Sequence, residues 1–392
     1  MYSTLSSPIS DRSFEESFHN PTPTTKIVLV RHGRSTYNEQ GRYQGSSDES
    51  VLTEKGIATA YQTGLALKDY RFAAIYSSPL KRVQQTTQEI TKALSNFERD
   101  LPPVICDRRL QEVKMAAWEG LPYAYVRENF PQEYACWKQT PHLFAFPLDN
   151  SAQKFYPLQD LYRQAKLLLT DIVNKHRGQT VLIVAHGGTN RALISTGIGL
   201  AAEKYQSLQQ SNCGISCLEF PSNSMQGELK SLNVTNHLGE YLPKLKEGKT
   251  GLRWLLVSNK VKNDKLLQKY LELAAINLII SDRHPASQQL AYLCKQQLPS
   301  AVHLSIHHHN FLDFWHHNLL QQHKIANRAS SNLTTGLIVA EEAALENIAQ
   351  KMFQTQLNLS SNNSFSVIHY PQNHHPILQG LLPCEDFSFC ER

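Results

Sequence analysis

No stretch of this 392-residue chain approaches the ~20 consecutive apolar residues that a membrane helix requires. Charge of one sign is scarce as well. Thirty-nine basic against 34 acidic residues leave a net charge of +5, and no Lys/Arg stripe interleaves with aromatics. That balance argues against both nucleic-acid and membrane partners. Cysteine is sparse and odd in number: seven, at Cys106, Cys136, Cys213, Cys217, Cys294, Cys384 and Cys390, without metal-type spacing. They read as buried thiols in a reducing compartment, with Cys213 and Cys217 sharing one face of a strand. Residues 1–25 lack a basic region leading into an apolar one. They are rich in Ser, Thr and Pro yet carry Asp11, Glu15 and Glu16, against a transit peptide. The expectation is a disordered tail on a cytoplasmic protein.

What is present is an α/β pattern. Lys26–Val30 (KIVLV) and Val181–Ala185 (VLIVA) are short β-branched runs, suited to strands buried on both faces of a parallel sheet. Phe72–Tyr76 reads as a third strand, with Ser78 expected to cap the next helix and Pro79 to occupy its first turn. Helical spacing covers Thr53 to about Lys68, with Thr53 as cap, and Leu158–Lys175. Strands alternating with helices predict a three-layer sandwich around a mostly parallel sheet, over residues 26–235.

Residues 236–250 read as a linker within a polar stretch, and residues 251–392 resemble a shortened copy of what precedes. RWLLV (253–257) answers Ile27–Val30, AINLIIS (275–281) answers AAIYS, GLIVA (336–340) answers VLIVA, and SFSVIHYP (364–371) answers GISCLEFP. Ser77 to Ala185 spans 108 residues, whereas Ser281 to Ala340 spans 59, so strands are kept and insertions lost.

Chemistry concentrates at two strand ends. Arg31-His32-Gly33 follows the first strand and His186-Gly187-Gly188 the second. Ligands of an open parallel sheet bind beyond the carboxyl ends of its strands, so the two histidines can meet in one crevice. Phosphoryl transfer needs a nucleophile, fixed positive charge and a proton donor. A neutral imidazole can be the nucleophile, and arginine forks suit phosphate oxygens. His32, His186, Arg31 and Arg82 fit these parts, with Glu112 as the candidate acid and Gly33, Gly187 and Gly188 allowing close backbone approach.

The motifs VRHGRSTYN (30–38), VLTEKG (51–56), SSPLKRVQQT (77–86), LQE (110–112) and VAHGGTNRALI (184–194) resemble the histidine phosphatase, or phosphoglycerate-mutase-like, superfamily. The resemblance implies a phosphohistidine at His32, phosphate held by Arg31, Arg82 and His186, and Glu112 as proton donor. It also implies Ser35, Asn38, Gln44 and Gly187 lining the substrate pocket, and neither metal nor cofactor. MAAWEG (115–120) resembles the phosphatase branch, because mutases carry Arg-His-Tyr-Gly after the acid where Val113-Lys114-Met115 stands here. Ala116 replaces the usual glycine of that loop. Segments 41–53, 134–144, 156–162 and 210–216 are similar to members acting on 2-carboxy-D-arabinitol 1-phosphate, implying a small phosphorylated sugar or sugar acid as substrate. A cofactor-dependent phosphoglycerate mutase and a non-catalytic sugar-phosphate-binding regulatory protein are the alternatives.

The second half lacks this equipment, with Ser258-Asn259-Lys260 for Arg-His-Gly, Ala286 for Arg82 and Glu341 for His186. A carboxylate there would repel phosphate. The expected role of residues 251–392 is that of an inactive copy serving binding, regulation or a homodimer. His307, His308, His309, His316, His317 and His323 read as a solvated surface rather than a metal site.

Overall fold

The computed structural model describes residues 24–97, 100–148, 153–222, 224–262, 265–306, 333–360, 364–371 and 374–384. The six clustered histidines and Cys390 lie outside them. The first half contains strands β1 (Thr24–Arg31), β2 (Ala74–Ser77), β3 (Val104–Cys106), β6 (Thr180–Ala185), β7 (Ile215–Pro221) and β8 (Glu228–Val234). A small hairpin of β4 (Phe146–Pro147) and β5 (Lys154–Phe155) stands apart. Its helices are α1 (Thr36–Gln40), α2 (Glu54–Ala66), α3 (Lys81–Leu94), α4 (Tyr123–Asn129), α5 (Pro131–Gln139), α6 (Pro157–Lys175) and α7 (Gly187–Ile198). The second half adds β9 (Gly251–Ser258), α8 (Lys265–Leu273), β10 (Leu278–Asp282), α9 (Pro285–Gln297), β11 (Val302–Ile306), β12 (Leu333–Ala340), α10 (Glu342–Phe353), β13 (Ser364–Tyr370) and β14 (Ile377–Pro383).

Alternation along the apolar strands builds the three layers. Ile27 and Leu29 of β1, with Val181 and Ile183 of β6, pack against Leu161, Leu168 and Ile172 of α6 and Leu193 of α7. Val28, Val30, Leu182 and Val184 face the other way, onto Val83 and Ile90 of α3. Each such side chain, wholly buried, contributes about 1.5–3 kcal/mol. Helix α6 starts on Pro157, whose missing N–H costs nothing in a first turn, and buries Leu158, Leu161, Ala165, Leu168 and Ile172 at helical spacing.

Both halves have the same strand order, β8-β7-β1-β6-β2-β3 and β14-β13-β9-β12-β10-β11. In each, the central ladders are parallel and the terminal hairpin antiparallel. The second half is therefore a truncated copy of the first. The two hairpins meet edge to edge: β8 pairs antiparallel with β14, Leu232 opposite Leu381, giving one twelve-stranded sheet. A strand running antiparallel to its own counterpart is what a two-fold axis through a symmetric dimer produces. Here one chain supplies both sides, and one core cluster runs from Ile27 through Leu232 to Trp254 and Leu381.

Several expectations need correcting. The tail expected through residue 25 overlaps β1, since Thr24 and Thr25 are in the strand and Thr25 is buried. The third strand starts at Ala74, two residues later than expected. Helix α3 starts at Lys81, and its N-cap Leu80 gives no side-chain bond. Ser78 is therefore no cap, and Asp48 Oδ1 accepts from Lys81 N instead. Cys213 does not share a strand face with Cys217; it precedes β7 at φ +56. Nor are all thiols buried, because Cys106 is exposed and Cys136 half-buried.

The segment expected as a linker is fastened along its length. Pro243 O accepts from Arg253 Nη2 at 2.8 Å and Lys244 O from Gln209 Nε2 at 2.9 Å. Thr250 O bonds His369 Nε2 at 2.9 Å.

Candidate active site

The parallel ladder of β1 and β6 ends on Arg31 opposite Ala185, so His32 and His186 leave the sheet side by side. His32 N donates to Ala185 O at 2.9 Å, and the two imidazoles stand 5.3 Å apart, inclined at 65°. His32 is 1% exposed. Its Nδ1 lies 2.8 Å from Gly33 O, an acceptor only, so Nδ1 carries the proton and Nε2 keeps its lone pair. Burial, then the charges of Arg31 and Arg82, holds its pKa well below the ordinary histidine value of 6.5. His186 is held low by burial, Arg82 and His32. Both rings are neutral at neutral pH, as an attacking imidazole must be.

A pH dependence follows. The unfolded imidazoles take up protons near 6.5 while the folded ones resist, so this stability is complete above pH 6.5 and is lost as pH falls below it. The melting temperature of the wild type is expected to fall more steeply below pH 6.5 than that of His186→Gln. Parallel curves would contradict the assignment.

Around the rings are donors with no partner among the described residues. Arg31 Nη1 donates to Gln210 O at 2.9 Å, but Nε is buried and unbonded. Arg82 is fully buried. Its Nη1 and Nη2 donate to Ser47 O and Gly45 O, each at 2.8 Å, again leaving Nε unbonded. Burial pushes Arg82 down to about 10, still charged at neutral pH. His186 Nε2 bonds Ser78 Oγ at 2.8 Å, and Nδ1 is buried without a partner. Ser78 Oγ accepts from Leu80 N, so its hydrogen goes to His186 Nε2 and the ring proton sits on Nδ1. Three unspent donors beside neutral His32 thus form a ready anion site, because an unsatisfied buried donor costs about 1–3 kcal/mol until a ligand accepts from it.

Glu112 lies at the N-terminus of α7. Oε1 accepts from Val113 N at 2.9 Å and Thr189 N at 3.2 Å, and Oε2 from Gly188 N at 3.1 Å. Oε2, with one donor, is the oxygen with room for a proton. Gly188 serves this carboxylate rather than the phosphate, as a Cβ there would lie 2.2 Å from Glu112 Oε1 and 2.5 Å from Tyr205 Oη. A Cβ on Gly187 would lie 3.2 Å from Arg31 Nε, so Gly187 does border the cradle.

The expected pocket residues divide by role. Ser35 is fully buried, caps α1, and holds its hydroxyl 2.8 Å from Gln44 Oε1 and 3.1 Å from Asn38 Oδ1. Its contacts place it between Asn38 and Gln44. Asn212, which the sequence reading assigned no role, binds His32 O at 3.0 Å, Gly33 O at 3.1 Å and Asn38 Oδ1 at 2.9 Å. Ser78, expected as a cap, stands at His186 Nε2. Nothing in the spacing of either residue signals a site; the strand-end geometry does.

After Glu112 the chain turns inward. Val113, Met115 and Trp118 are buried, and Trp118 packs on Tyr43, Phe144 and Phe146. Ala116 sits at φ +41, the left-handed region in which glycine is at ease. In the second half Asn259 N donates to Ala340 O at 2.9 Å, repeating the His32 bond. There Asn259, Asp282, His284 and Glu341 meet where the cradle would be, with Asp282 Oδ2 accepting from Glu341 N at 2.9 Å.

A probable 2-carboxy-D-arabinitol-1-phosphatase of Arabidopsis thaliana is 38% identical over 211 residues, 54% of this chain and 41% of that protein. The 2-carboxy-D-arabinitol-1-phosphatase of Triticum aestivum is 38% identical over 195 residues, 50% of this chain and 37% of that protein. The chain thus spans well under half the length of these two relatives. Phosphoserine phosphatase 1 of Hydrogenobacter thermophilus is 32% identical over 216 residues, 55% of this chain and 95% of that protein. Residues 27–235 match the model of the histidine phosphatase superfamily (branch 1), and the chain belongs to that family.

Proposed function

We propose that this chain is a phosphomonoesterase that hydrolyses a small phosphorylated sugar or sugar acid through a phosphohistidine at His32. The observation that carries the reading is the set of buried, unbonded donors, Arg31 Nε, Arg82 Nε and His186 Nδ1, beside a neutral His32. His32 Nε2 forms the N–P bond as the ester P–O bond breaks, and Glu112 hands a proton to the departing alkoxide. Water, deprotonated by the same carboxylate, then displaces the imidazole and yields orthophosphate. Fixed positive charge stabilises the transferring phosphoryl group throughout.

The inward turn after Glu112 favours hydrolysis over mutase chemistry. Val113, Met115 and Trp118 form an apolar plug, so that loop offers no Arg-His pair to retain a phosphorylated intermediate. The 38% identity to two plant 2-carboxy-D-arabinitol-1-phosphatases supports a sugar acid as substrate, and the similarity to phosphoserine phosphatase 1 supports a small phosphorylated metabolite. The second half, with Asn259 and Glu341 in the histidine positions, is an inactive copy. A homodimer through it cannot use the hairpin edge, because β8 of the same chain already occupies β14.

The test is phosphate release across a panel of sugar phosphates and sugar-acid phosphates, with phosphoglycerate interconversion measured in parallel. Orthophosphate release outpacing interconversion is expected. Interconversion outpacing release would make the chain a mutase, and turnover of neither would sink the enzymatic reading.

A further inference from the structure

Beside the cradle stands a cation that the phosphate does not require. The Lys246 ammonium donates to Gln210 O, the oxygen that also accepts Arg31 Nη1 at 2.9 Å. Sharing one acceptor places ammonium and guanidinium at most about 6 Å apart. No carboxylate among the described residues forms an ion pair with Lys246: Glu247, close enough to act on its charge, is paired with Lys138 at 2.7 Å, and Glu240 with Lys244. Arg191, a third cation of this group, is spent on Leu208 O at 2.7 Å and Gln206 Oε1 at 3.2 Å. The residue as a whole is exposed, while its ammonium end is buried against Gln210.

The segment carrying Lys246 is pinned from three directions. Arg253 of β9 and His369 of β13 hold its backbone at Pro243 and Thr250. Gln379 of β14 bonds Gln209 Oε1 at 3.2 Å, and Gln209 in turn bonds Lys244 O at 2.9 Å. On its other side, Glu247 grips Lys138 of α5, and His375 Nε2 meets Gln139 O at 3.0 Å. The second half therefore fixes both this segment and one end of α5.

We infer that Lys246 is a specificity residue that binds a substrate carboxylate lying a few bonds from the phosphate, and that the second half serves to hold it there. The inference rests on the phosphatase reading of the same pocket. Geometry sets the spacing, because a cation within one shared acceptor of Arg31 can reach only a group close to the ester. A carboxylate suits a lone ammonium, a compact point charge, whereas phosphate is met here by arginine forks. Burial and the charges of Arg31 and Arg191 also depress Lys246, against the opposing charges of Glu247 and Glu240, and an incoming anion favours its charged form.

The test compares 3-phosphoglycerate with glycerol 3-phosphate, which carry a carboxylate and a hydroxymethyl group at the same distance from phosphate. Binding is measured calorimetrically on the full chain in a His32→Ala background, which cannot turn over, with inorganic phosphate as reference. Lys246→Met is expected to reduce the preference for 3-phosphoglycerate at least tenfold, and Lys246→Arg to restore most of it. An unchanged preference would overturn the inference, and equal weakening of both esters would assign Lys246 to the phosphate cradle instead. Failure of inorganic phosphate to bind in the Lys246-containing protein would bring down the phosphatase reading itself.

Discussion

His32→Ala should lower kcat/KM for every phosphomonoester that the protein hydrolyses by at least about a thousandfold, and should abolish acid-labile labelling of the protein from labelled substrate. The size follows from chemistry. With the imidazole gone, water must attack the ester directly, and loss of a nucleophile in comparable covalent mechanisms costs up to about 10^6 in kcat. The cradle should survive, because Arg82 is held by Ser47 O and Gly45 O and His186 by Ser78, none of which depends on His32. Binding of inorganic phosphate should therefore persist while turnover vanishes. Substantial activity in a correctly folded variant would transfer the nucleophile's role elsewhere, and labelling that survives the substitution would do the same.

A second large effect concerns the inactive copy. A chain ending at residue 250 should lose about 10–20 °C in melting temperature and enter the aggregated fraction on gel filtration. Three buried residues lose their cover. Leu232 faces Leu381, Leu208 bridges Leu378, and Val234 belongs to a core cluster whose other buried members all lie in the second half. Exposing three such side chains costs about 5 kcal/mol, and a domain of this size shifts by about 2–4 °C per kcal/mol. The unpaired β8 edge adds a template for association with other strands. A stable, monomeric fragment would show that the twelve-stranded sheet is two independent units in contact. The full chain carrying the Lys246 substitutions keeps this junction, so the two experiments probe different roles of the second half.

Much of the fold could be read along the chain because it depends on local pattern. KIVLV and VLIVA are strands since β-branched runs too short for helices need burial on both faces, and Thr53 caps α2 through Gly56 N as its position before an apolar periodicity indicates. The repeat was legible for the same reason: four apolar strands survive in order while the insertions between them do not. Arg31, His32 and His186 could be located because a residue just past a parallel strand is delivered to the crevice whatever its neighbours are.

Other features depended on contacts far apart in sequence. Whether residues 236–250 were a tether or a wall turned on bonds from His369 and Gln209, neither near the segment in sequence. Ser78 and Asn212 became site residues only when strand ends brought them to His186 and His32. The contacts of the Ser35 hydroxyl with Gln44 likewise follow from the folded loop and not from its place in the motif. By itself the sequence determined the fold class, the internal duplication and the positions of the two histidines, all consequences of apolar periodicity. Only the tertiary structure decided that the two halves share one sheet and core, and that Lys246 stands beside Arg31. Edge pairing and shared acceptors are relations between distant residues that no local pattern encodes.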